Sequence, residues 1–224
     1  MTNDDGQLTQ YIRFREVGKA LNALLVKQLR RSDMQKCGKD IGLLVNGTLV
    51  FHSEHETSIL MDYCIHRKRP GKKSHLDQFI DQSSYVAESD EGKLLQAYKA
   101  ARYTLIVIEE KRYGYLVDGV DILAQQELSL VDTGLGQTAV LGSLIATRLM
   151  CIPDSERFMT TGAVIPVSSH AAIDAVEQIL KRYAPALDSG GLSATQAASF
   201  EKQLVRMLLR TQSQDNVHYK DVGK

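Results

Sequence analysis

Tryptophan is absent from this 224-residue chain, and proline occurs only four times. With 43% hydrophobic residues the composition is that of a folded protein, so disorder is expected only at the ends. There are three cysteines, Cys37, Cys64 and Cys151, far apart and without CxxC spacing. That pattern excludes a disulfide framework and a thiolate zinc site, and leaves buried thiols as the expectation. Charge of one sign is lacking too: 27 basic residues face 27 acidic ones. No global field attracts a polyanion, so any nucleic-acid contact needs a local patch. Long apolar runs are missing; stretches such as Ile59 to Met61 and Leu105 to Ile108 fall far short of the roughly 20 residues of a membrane span. The opening MTNDDGQLTQ has neither a basic nor an apolar signal region, which makes the cytoplasm the expected compartment and a membrane role unexpected.

Periodicity then divides the chain into three: a helical segment over 1–101, a β-module over 102–167 and C-terminal helices over 168–224. Phe14, Val17, Leu21, Leu24 and Leu25 recur at three- and four-residue steps and predict a helix from Leu8 to about Arg31. Ser32 or Asp33 caps a second helix, with Met34, Cys37, Ile41 and Leu44 on its buried face and Asn46-Gly47 as a left-handed stop. The same dipeptide also suits a hairpin turn within Leu43 to Phe51; the helical spacing before it favours the stop. Ser53 with Glu56 opens a third helix to about His66, and Pro70-Gly71 breaks the helical run beyond it. Ser74 starts a further helix ending near Gln82, and Ser89 or Asp90 starts another ending near Ala101.

From Arg102 the period becomes two. Short strands are predicted over Tyr115 to Val117, Val120 to Leu123, Glu127 to Val131, Ser143 to Met150 and Phe158 to Val167, with turns at Gly114, Asp118-Gly119, Gly134, Gly136 and Pro153-Asp154. Such spacing implies an α+β protein with a small antiparallel β-barrel or curled sheet between helical segments. Ser168 or Ser169 caps a helix that Pro185 stops after Tyr183, Ser193 caps the last helix to about Gln212, and the polar tail from Ser213 is expected to fray.

Three clusters carry chemical interest. His55, Ile59, Asp62 and His66 share one face of the third helix, where His55, Asp62 and His66 suggest a metal site, since ligands at i and i+4 converge. A hydrogen bond from His66 to Asp62, or an Asp62–Arg67 pair, is the plainer reading, and no further convergent ligand is evident. Arg67, Lys68, Arg69, Lys72 and Lys73 place five positive charges in a turn leading into a helix, a composition suited to phosphate or nucleic acid. No aromatic residues interleave for base stacking, and a solvated charge run is the plainer reading. Within the β-module, Asp121 or Asp132 is expected to form a structural ion pair with Arg148. The string Thr133-Gly134-Leu135-Gly136-Gln137-Thr138 lacks the ending of a phosphate loop and is expected to join strands, and no Ser/His/carboxylate set is positioned for a nucleophile.

The segments Ile59-Leu60-Met61-Asp62-Tyr63, Leu76-Asp77-Gln78-Phe79-Ile80, Ala101-Arg102-Tyr103-Thr104-Leu105, Val120-Asp121-Ile122-Leu123, Leu130-Val131-Asp132, Gly142 to Leu149 and Thr161-Gly162-Ala163 form a succession. Over about residues 40–167 it resembles a group of largely uncharacterised bacterial proteins often associated with a zinc-binding SEC-C motif. The resemblance implies a helical part before a β-rich module, with Asp121 and Arg148 at matching places. The cysteine-rich SEC-C tail itself is absent here, so its zinc and contacts do not transfer. Taken together, the expectation is a non-enzymatic binding or regulatory module without cofactor, acting on a protein partner or a second copy of itself. Nucleic-acid association through the basic turn is the alternative, and a metal-dependent hydrolase ranks below it.

Overall fold

The computed structural model describes residues 3–69 and 71–211. The first helix, α1 (Asn3–Lys27), buries Tyr11, Phe14, Leu21 and Leu25 and ends one turn before the predicted Arg31. Arg30 is extended and serves as the N-cap of α2 (Arg31–Ile41); Ser32 and Asp33 lie inside the first turn, where the Asp33 charge complements the helix dipole. The left-handed stop of α2 is Gly42 (φ 89°), whose N–H reaches the Gly38 carbonyl. Asn46 (φ 48°) and Gly47 (φ 81°) instead turn the hairpin β1 (Leu44–Val45) to β2 (Thr48–Leu49), because two successive positive φ values match the twist of a two-residue turn. The turn chemistry thus prevailed over the upstream helical spacing.

Helix α3 (Glu54–His66) is capped by Ser53, and the Glu56 carboxylate accepts the His52 N–H at 2.7 Å, one residue further back than a capping box requires. Ser74 and Asp77 cap α4 (His75–Gln82) reciprocally, and Ser89 caps α5 (Asp90–Ala100). Pro70 and the tail from Gln212 onward lie outside the described residues.

The strands are β3 (Arg102–Arg112), β4 (Leu116–Asp121), β5 (Gln126–Val131), β6 (Leu144–Cys151) and β7 (Phe158–Val167). They pair in the order β3-β4-β5-β7-β6, and β6 returns to β3, so the sheet closes into a barrel. The pairing is antiparallel throughout the barrel except at one seam, where β5 and β7 run parallel at Leu130–Phe158. Between the third and fourth strands of the barrel lies a short helix, α6 (Thr133–Thr138), where a loop was expected. Asp132 caps it, accepting the Leu135 N–H at 3.0 Å, and Gly136 allows its backbone to press on the Gly114 carbonyl, where a Cβ would collide. Asp118-Gly119 is no turn either. It lies inside β4, where a Cβ at Gly119 would strike the Val107 carbonyl, and the turn is made by Tyr113-Gly114. Strand order, the single parallel seam and the helix between third and fourth strands give the connectivity of five-stranded Greek-key barrels of the OB class.

Ile106, Ile108, Val117, Leu128, Leu130, Ile145, Leu149 and Val164 fill the barrel, with Leu135 of α6 packed among them. Two helical layers cover parts of its outside. One core joins Leu105, Ala146 and Ile165 to α2, α3, α7 (His170–Asp188) and α8 (Ala194–Arg210). A second joins Leu116, Val131, Met150 and Met159 to α1, α4 and α5. Pro185 does not stop α7, which continues to Asp188. Among the described residues, one sector of the outer wall on β3, β4 and β5 lies outside these layers.

Candidate functional site: two charged faces of one barrel

The covered face holds a buried ion cluster. Arg148 projects outward from β6, and its Nε donates to the Asp62 carboxylate of α3 at 3.0 Å while its Nη2 bonds Glu201 of α8. Asp62 also accepts from the Thr161 hydroxyl at 2.6 Å, and the guanidinium lies 5.5 Å from the centre of the Tyr103 ring. One strand and two helices are thereby tied at a single cation. Burial tends to raise the Asp62 carboxyl, yet Arg148, His66 and the Thr161 bond outweigh it and hold it low. Glu201 goes the other way, since burial pushes its carboxyl up against the pull of Arg148. His66 lies with Nε2 3.9 Å from Asp62 and its ring edge-on to Tyr98; burial, then Arg148, depress its pKa to about 3, leaving a neutral imidazole.

These positions correct the expected ion pair. Arg148 pairs with Asp62 and Glu201 rather than with Asp121 or Asp132. Asp121 accepts from Arg102, from Thr104 at 2.6 Å and from the N–H groups of Leu123 and Ala124, closing the turn after β4. Asp132 caps α6 and accepts from Thr160 at 3.0 Å. Glu201 went unnoticed in the sequence, although it interrupts the apolar stripe Phe200, Leu204, Val205 and Leu208 and so had to find a buried partner.

Of the three suggested metal ligands, Asp62 and His66 approach each other, whereas the His55 ring bonds the Val164 carbonyl at 2.8 Å. Among the described residues no group of three or more His, Cys, Asp or Glu side chains is arranged to hold a metal ion. The basic turn divides: Arg67 pairs with Asp40 and Arg69 is half-buried, while Lys68, Lys72 and Lys73 are exposed and Lys73 pairs with Asp81.

The uncovered face is a groove of about 1110 Å³. Its floor is the outer row of β3, β4 and β5, where Asp118 stands opposite Ser129 and accepts from its hydroxyl, and Arg112 also bonds Asp118. The β6–β7 loop supplies Ser155, Glu156 and Arg157 as one wall. Among the described residues, Glu109, Glu110, Asp118, Glu127 and Glu156 oppose only Arg112 and Arg157, so this lining is acidic, and Phe158 is its one aromatic residue.

Fold and site together define a helix-jacketed small barrel with a closed ion cluster on one face and an open acidic groove on another. The chain belongs to the family of unknown function DUF7986, whose pattern matches residues 5–202. No curated protein and no solved structure matches it. No described helix is long and apolar enough to cross a membrane.

Proposed function

We propose that the protein is a non-enzymatic binding module whose acidic groove receives a basic segment of a protein partner. The observation that carries this reading is the groove's charge, five carboxylates against two guanidiniums. Carboxylates lining a concave wall focus a negative potential that attracts Lys- and Arg-rich chains and repels phosphate backbones. By analogy of fold alone, OB-class barrels use the face of their second and third strands and the loop between the fourth and fifth for ligands, often oligonucleotides. Here β4, β5 and the β6–β7 loop occupy that place, with the sign of charge reversed and a single aromatic ring for stacking. The terminal helices supply little surface for the same purpose: apart from exposed Leu24, the apolar stripes of α1 and α8 are taken up by the protein's own cores.

A direct test titrates the protein with a Lys/Arg-rich peptide of about ten residues and with its Glu-substituted counterpart. Binding of the basic peptide alone, weakened by salt and lost in the double variant Glu110→Lys/Glu127→Lys, is the expected result. Equal affinity in the variant sinks the proposal, as does preference for a single-stranded oligonucleotide that the variant strengthens.

A further inference from the structure

The five cations of the basic turn do not act alike. Arg67 and Arg69 line a cavity of about 260 Å³ where the end of α1, the start of α2 and α4 meet, together with Arg30, His75 and Gln82. The three lysines are absent from that lining. Arg69 Nε is buried and has no hydrogen-bond partner among the described residues. A buried guanidinium donor without an acceptor is costly, and guanidinium geometry complements the oxygens of a phosphoryl group. Arg67 is fixed at the wall by Asp40, a carboxylate that is also shared with Lys202 at 3.3 Å and so does not cancel the local positive charge. The carboxylate within the lining, Asp33, has Lys36 at 3.6 Å. His75 is oriented by its Nε2, 2.9 Å from the Leu25 carbonyl. The N-terminus of α2 opens beside Arg30 without a side-chain cap, adding its dipole to the same field.

We propose that this cavity binds the phosphoryl group of a small ligand, a phosphomonoester or pyrophosphate, with Arg69 and Arg67 as the principal donors and Arg30 at the mouth. Its volume suits a phosphoryl group with little attached, and the exposed lysines outside add only a screened attraction. The site stands apart from the acidic groove and does not depend on it.

Calorimetric titration with inorganic pyrophosphate and phosphate at fixed ionic strength tests it. The expected result is saturable one-site binding, weakened about ten-fold or more in Arg69→Gln, as for loss of a charged hydrogen bond. Arg69→Lys should restore part of the affinity, and Lys72→Gln/Lys73→Gln should bind as the unaltered chain does. Should Arg69→Gln fail to fold, Arg30→Gln at the exposed mouth replaces it, with a weakening of about three-fold expected from one peripheral cation. Absence of saturation overturns the proposal, as does an equal loss in the lysine variant, or a single-stranded oligonucleotide of about 12 nucleotides binding more tightly than pyrophosphate.

Discussion

One barrel carries charge on two outer faces, and the two arrangements obey opposite physics. At Arg148 three charged side chains sit beneath α3 and α8, where removing water makes each of them dependent on the others. At Asp118 a comparable set of carboxylates and guanidiniums lies open to solvent, so each can change without stranding its neighbour. The first cluster holds elements together; the second leaves its charge available for a partner. What separates them is not residue type but whether a helix lies on top.

The sharpest way to break this contrast is to remove Arg148. Arg148→Ala leaves Asp62 and Glu201 facing each other in the interior, and a loss of about 3–5 kcal/mol is expected from urea denaturation. Replacing all three charges, as Arg148→Met/Asp62→Leu/Glu201→Leu, should recover more than half of that loss, because no charge then remains buried. A single variant as stable as the unaltered protein would mean that water reaches the cluster and the two faces are alike.

Acid offers a second, smaller lever. His66 titrates near 3 in the folded protein against 6.5 as a free side chain, with burial the main cause. Between those values the unfolded chain holds a proton that the folded one refuses, so stability falls as pH drops below 6.5. One such group contributes about 1.4 kcal/mol per pH unit, or about 2 kcal/mol between pH 6.5 and 5. Burial also lowers His55, which acts in the same direction, as does the depressed carboxyl of Asp62; the raised carboxyl of Glu201 opposes them. His66→Phe keeps a ring against Tyr98, and its unfolding free energy from urea denaturation should fall by about 1.4 kcal/mol less per pH unit over this window. An unchanged slope would show that the imidazole is solvated and the covered face is not dry.

The α+β architecture was legible because periodicity reports burial directly: the change from helical to alternating spacing at Arg102 coincides with the start of β3. Ser53, Ser74 and Ser193 were readable as caps because their chemistry is local. Less legible were features decided across the chain. Asp118-Gly119 has the composition of a turn, yet its glycine serves close approach of β3 to β4. Likewise, sequence placed Asp62 and His66 on one face but gave no sign that Arg148, 86 positions away, would claim the carboxylate. The acidic groove was invisible because its residues come from four strands, the start of α1 and a distant loop, each with an ordinary charge content.

The open face yields the smallest stability effect and the most direct check on the comparison. Glu110 and Glu127 are exposed, and neither accounts for the hydrogen bonds that fix Asp118, which are made by Arg112 and Ser129. Glu110→Lys/Glu127→Lys should therefore move the unfolding free energy by no more than about 0.5 kcal/mol per site while changing the groove's net charge by four. A chain that keeps its urea midpoint and loses its basic ligand separates recognition from stability on this face, in contrast to Arg148, where the two cannot be separated. A destabilisation approaching that of Arg148→Ala would instead mean that the groove carboxylates are held as tightly as the buried ones. The distinction drawn from helical cover would then have no physical basis.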